Sequence, residues 1–149
     1  MKLLNLSILI LFALHITSCI TPKDGSSKST DEKTVHKIET VDSIEGDSLT
    51  DPYTIQEVKV EGDNLIIEVC YGGCAEHDWK LVTTKRYKKS LPPQLDLLLI
   101  HDLHNDPCKK RDCTTLYFDL TDVKYPGKPT DYTVKLNIQK SNKSVNYEY

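Results

Sequence analysis

Two short stretches hold most of the side chains able to do chemistry. VCYGGCAEHDW, residues 69–79, carries Cys70, Cys74 and His77. HDLHNDPC, residues 101–108, adds His101, His104 and Cys108, and Cys113 follows. Thiolate and imidazole together suit zinc or copper. The same sulfurs, oxidised, are covalent staples, and the two uses compete because a metal needs free thiolates. A site built from His77, His101 and His104 alone could take zinc or copper beside intact disulfides. The spacing matches no zinc-finger pattern, so the competing reading is of loop histidines next to a staple. Asp102, Asn105 and Asp106 offer oxygen ligands for calcium but lack the spacing and the glycine of an EF-hand loop.

Other chemistries find less support. The sequence has no Cys-x-x-Cys, and no helix is evident to lower a thiol pKa. The serines of the later chain, Ser90, Ser141 and Ser144, lie outside any Gly-x-Ser-x-Gly. There is no His-Glu-x-x-His and no phosphate-cradling glycine loop. The expectation is therefore a non-enzyme with no catalytic residues and no required cofactor. One basic run, Lys85, Arg86, Lys88 and Lys89 around Tyr87, could grip phosphate or carboxylate groups. Its competing reading is a solvated hairpin loop. The formal net charge of −3 argues against nucleic acid as a partner.

The elements that must position these residues read as β. TIQEVKV, DNLIIEVCY, WKLVTT, LDLLLIH, TLYFDL, YTVKLNI and VNYEY are short apolar runs separated by turn residues. In YTVKLNI, Tyr132, Val134, Leu136 and Ile138 alternate with Thr133, Lys135 and Asn137, so one face is buried. About seven short strands at this spacing predict an all-β domain over residues 51–149, a small sandwich of antiparallel strands. Trp79 follows Cys70 too soon for an immunoglobulin domain.

The chain has five cysteines. If one is withdrawn by modification, Cys70, Cys74, Cys108 and Cys113 remain, an even number that implies disulfides in an oxidising compartment. Antiparallel neighbours have residue numbers with a constant sum. Pairing Leu65 with Phe118 and Ile67 with Leu116 puts apolar residues on one face, and the same register sets Cys70 opposite Cys113 and Cys74 near Cys108. A nested pairing, 70–113 and 74–108, follows if that register holds. The local alternative, 70–74 with 108–113, is open, since Gly72-Gly73 could allow its tight turn. A 74–108 bridge would contribute roughly 4 kcal/mol by loop closure.

The chain begins MKLLNLSILILFALHITS: one early cation, Lys2, an apolar run from Ile8 to Leu14, then small residues. That is the layout of a signal peptide over residues 1–18, too short for a permanent membrane span. Ile16-Thr17-Ser18-Cys19 resembles the lipobox of bacterial lipoproteins. The resemblance implies acylation of Cys19, palmitate included, and cleavage before it. Several acyl chains hold a protein stably at a membrane. Ile20, where aspartate would retain a lipoprotein at the inner membrane, implies the outer membrane by resemblance to enteric lipoproteins. Residues 19–50 are then a lipidated cysteine and a disordered tether, being polar and without apolar period. A short helix around Val35 to Ile44 is the competing reading. Asp42-Ser43-Ile44 and Asp47-Ser48-Leu49 resemble the Asp-Ser/Thr-apolar O-glycosylation sites of Bacteroidetes.

Tyr71-Gly-Gly-Cys74-x2-His77-x-Trp79-x-Leu81, Pro93-Gln94, His101-Asp102, Asp106-x-Cys108 and Tyr117-x-Asp119-Leu120 occur in an order similar to a group of uncharacterised, cysteine-containing bacterial envelope lipoproteins. The resemblance implies a secreted β domain with Cys74 and Cys108 as its central pair. The expectation is thus a lipid-anchored envelope protein with a non-enzymatic binding or structural domain, its partner another envelope protein or a glycan. The alternative is a zinc- or copper-binding lipoprotein.

Overall fold

A computed structural model describes residues 33–44, 50–128 and 130–149. Cys19, the signal sequence and most of the expected tether lie outside the described residues. Among the described residues eight strands form: β1 Val35–Thr40, β2 Tyr53–Glu61, β3 Asn64–Gly72, β4 Asp78–Thr83, β5 Gln94–Asp102, β6 Arg111–Asp119, β7 Thr133–Ile138 and β8 Lys143–Glu148. They join in one sheet of order β2-β3-β6-β1-β4-β5-β7-β8. The sheet curls until its edge strands, β2 and β8, approach each other, so it is nearly closed into a barrel. Closure of this kind hides the unpaired backbone groups that an open edge would present.

All seven expected strands form, but two expectations are corrected. The architecture is a curled, mixed sheet of eight strands rather than a seven-stranded antiparallel sandwich: β1 runs parallel to both β4 and β6, and β5 runs parallel to β7. The eighth strand, β1, falls inside the stretch expected to be tether or short helix. Val35 to Lys37 pair with Tyr117 to Asp119, and Ile38 to Thr40 pair with Leu81 to Thr83. β1 therefore stitches the β2-β3-β6 half of the sheet to the rest. Of its side chains only Ile38 is buried, so its place is held mainly by backbone hydrogen bonds to two neighbours. Such bonds leave no side-chain pattern to read.

The interior is lined by alternate residues, as pleating requires. Leu65, Ile67 and Val69 of β3 meet Leu95, Leu97 and Leu99 of β5 and Val134, Leu136 and Ile138 of β7. The facing expected of β7 is the one found, with Val134 and Leu136 fully buried. Phe118 and Tyr147 are the largest fully buried side chains, and Leu120 and Val123, around a one-turn 3-10 segment at Thr121–Val123, join the same core.

The β3–β6 register is the one inferred from the apolar pattern. Leu65 faces Phe118, Ile67 faces Leu116 and Cys70 faces Cys113. The nested disulfides follow: Cys70–Cys113 between adjacent strands, Cα atoms 4.0 Å apart, and Cys74–Cys108 between the loops beyond them, 5.7 Å apart. The local pairing is not formed.

Candidate functional site

The loops after β3 and β5 meet at one end of the barrel, joined by Cys74–Cys108, and the predicted chemistry gathers there. His77 and His101 come together directly: His77 Nδ1 lies 2.8 Å from His101 Nε2. His101 is buried to 1% exposure, and the His77 side chain has no accessible surface. His104, the third expected ligand, stands elsewhere. It is exposed on its loop, its Nε2 3.1 Å from Asp78 and its Nδ1 3.6 Å from Asp102. Asp78 and Asp102 are cross-strand partners, and like charges placed opposite repel, so an imidazole between them eases that contact. All four domain cysteines are in disulfides and offer no thiolate. Among the described residues no group of three or more His, Cys, Asp or Glu side chains is arranged to hold a metal ion.

Asp106 organises the pair. Its Oδ2 accepts the backbone N–H of Cys74 at 2.6 Å and of Ala75 at 3.0 Å, and its Oδ1 accepts that of Cys108 at 2.9 Å. These three donors, Cys74 first, hold the Asp106 carboxyl well below the usual carboxylate range. His77 Nε2 stands 3.5 Å from the same Oδ2. Between the two rings one nitrogen donates and the other accepts, according to the tautomer of each. His101 Nδ1 is buried and makes no hydrogen bond. The chain Asp106···His77···His101 runs inward from a loop to the barrel interior.

Aromatic rings close around it. Trp79 stacks on His101 with centroids 4.0 Å apart and planes 9° from parallel. Tyr71 leans on His77 at 4.7 Å and on His101 at 5.3 Å, and Tyr53 meets Trp79 edge-on at 5.6 Å. The Tyr53 hydroxyl donates to the Leu99 carbonyl at 2.7 Å, which fixes the cage to β5. Gly73 supplies the room: a Cβ there would lie 2.2 Å from His77 Cε1. Beside the cluster, on the outer face of β1, β4 and β5, an open cleft of about 540 Å³ carries Glu39, Asp51, Asp78 and Asp102 around Lys80.

The sequence singled out His77, His101 and the cysteines, but not Asp106 as their organiser nor Trp79 and Tyr71 as their walls. Asp106 appeared only as an oxygen ligand, because nothing in sequence reports which backbone amides a carboxylate will meet. Gly72-Gly73 offered the tight turn of a 70–74 bridge that does not form; instead Gly72 ends β3 and Gly73 admits a ring.

This arrangement predicts an acid-sensitive fold. Burial, reinforced by neighbouring His77, pushes the His101 imidazole below its ordinary value, with Asp51 partly opposing. The unfolded chain, whose histidines titrate near about 6.5, then binds a proton that the folded chain refuses, so stability falls as pH drops below about 6.5. Asp106, depressed in the folded state, adds a second loss below about pH 4. The melting temperature should fall between pH 7 and 5, and His101→Phe should flatten that limb while keeping a ring on Trp79. A wild-type melting temperature constant over this range would contradict the assignment.

No protein-family model matches the chain, and no curated protein matches it in sequence. Among solved structures it is similar to a NigD-like immunity protein from Bacteroides caccae, with a TM-score of 0.52, 12% identity, and coverage of 76% of this chain and 58% of that one. It is also similar to a protein of unknown function from Bacteroides vulgatus, with a TM-score of 0.51, 16% identity, and coverage of 77% and 56%. At these identities the likeness is one of fold. The chain spans less than two thirds of the length of either protein.

Proposed function

We propose that this chain is an envelope lipoprotein, acylated at Cys19 and held at the outer membrane, whose curled β-sheet is a non-enzymatic binding or structural module. One observation carries the reading of the domain: its paired histidines are buried and its four cysteines are oxidised. The histidine pair sits inside an aromatic cage, and the four cysteines are bonded to one another. A substrate would have no nucleophile or free thiolate to meet there, so the surface is left to do the work. Neither similar solved protein bears the name of an enzyme. The anchor rests on the lipobox-like Ile16-Thr17-Ser18-Cys19, and the disulfides fit an oxidising compartment beyond the cytoplasm. A glycan or another envelope protein is the expected partner class.

The test is metabolic labelling of cells with an alkynyl palmitate, followed by membrane fractionation. The wild-type chain should take up label and sediment with outer membranes, and Cys19→Ala should do neither. Equal sedimentation of both without label would overturn the anchor.

A further inference from the structure

The opposite end of the barrel has a different chemistry. The β4–β5 hairpin loop, residues 84–93, carries Lys85, Arg86, Lys88 and Lys89, and its tip presents Leu91, 94% exposed. The β6–β7 connection, which carries Lys124 and Lys128, packs against this hairpin. The Tyr87 hydroxyl donates to the carbonyls of Val123 at 2.8 Å and Lys124 at 3.3 Å. The Tyr87 ring meets Tyr125 edge-on at 5.0 Å, and Tyr125 lies 5.5 Å from Tyr132. Lys124 lies over the Tyr149 ring and Lys128 over the Tyr132 ring. Lys88 is paired with Asp96 and Lys124 with Asp63. Among the described residues Lys85, Arg86, Lys89 and Lys128 enter no ion pair with a carboxylate, although Asp122 and Asp131 belong to the same connection.

We infer that this end is a membrane-facing surface that docks on anionic lipid headgroups. An exposed apolar tip among unpaired cations, backed by half-buried tyrosines, is the composition that suits the boundary between acyl chains and headgroups. The choice of a lipid surface over other anions rests on the proposed anchor. Fully extended, the stretch from Cys19 to Lys33 spans at most about 50 Å, so an acylated chain holds the domain within that reach of a membrane.

The test uses the processed chain, residues 19–149 carrying Cys19→Ala, which retains every strand of the described residues and reads the surface without the acyl group. Co-sedimentation is measured with vesicles of phosphatidylcholine alone and with phosphatidylglycerol added. Each cation near an anionic surface contributes about fivefold in affinity. The double variant Arg86→Gln/Lys89→Gln should therefore bind anionic vesicles about 25-fold more weakly, Leu91→Ser should weaken them further, and added salt should release the chain. All three positions are solvent-exposed, and an unchanged circular dichroism spectrum would show that the fold survives. Equal binding to neutral and anionic vesicles, or anionic binding indifferent to these substitutions, would overturn the inference. So would capture by a soluble anionic polysaccharide with no vesicle binding, which would assign the surface to a glycan. Palmitate labelling reads the anchor and vesicle binding reads the surface, so either can fail without the other.

Discussion

Removing both disulfides, with Ala at Cys70, Cys74, Cys108 and Cys113, should lower the unfolding free energy by about 7 kcal/mol, while removing either bridge alone should cost about 3 kcal/mol. The asymmetry comes from nesting. The bridges close sequence separations of 43 and 34. With one intact, the ends of the other are already near each other in the unfolded chain, and the further ring is only the nine residues by which those separations differ. With neither present, the full loop must close, at about 4 kcal/mol, before the second bridge adds its smaller share. A small domain holds only about 5–15 kcal/mol in total, so the chain without bridges is expected to be at best marginally folded. Urea titration of the two double variants and the quadruple variant checks this. Additive losses of about 4 kcal/mol from each bridge would show that the two loops close independently in the unfolded chain.

Gly73→Ala should be the most damaging single substitution at the histidine end, costing about 2–4 kcal/mol, whereas Gly72→Ala beside it should be close to neutral. A Cβ on Gly73 would stand 2.2 Å from His77 Cε1 and 2.4 Å from His77 Nε2. The ring has nowhere to retreat, because Tyr71 lies against it and His101 is bonded to its Nδ1 at 2.8 Å. The cost is steric rather than conformational, since Gly73 is not in the left-handed region. A Cβ on Gly72 meets nothing within 4 Å. Near-ultraviolet circular dichroism offers a local reading, because Trp79 stacks on the histidine that His77 holds. Equal melting temperatures for the two alanine variants would show that the cage yields to a methyl group.

What was legible in the sequence was what side-chain alternation encodes. Leu65 and Ile67 matched to Phe118 and Leu116 fixed a register, and that register carried Cys70 to Cys113 and Cys74 to Cys108. Tyr132, Val134, Leu136 and Ile138 gave the buried face of β7 for the same reason. β1 escaped because VHKIET buries Ile38 alone and is held by backbone pairing on both sides. The sandwich expectation failed with it, since seven antiparallel strands lack the parallel strand that joins the two halves of the sheet. Among the histidines, spacing grouped three, but the end of β5 sets the third apart. His101 faces inward on β5, while His104 lies past the strand's end, where a left-handed turn at His104 and Asn105 redirects the chain. Asp106 acts through contacts with Cys74 and Ala75, 32 and 31 residues away in the chain, which no local pattern reports.

Native mass spectrometry of the chain, made in an oxidising compartment and never reduced, reads whether the cysteines and histidines are structural. The predicted result is a mass lower by two hydrogens for each of two bridges, with no metal adduct after dialysis against zinc or copper. Free thiols with a stoichiometric metal adduct would contradict it, and would make VCYGGCAEHDW half of a ligand set.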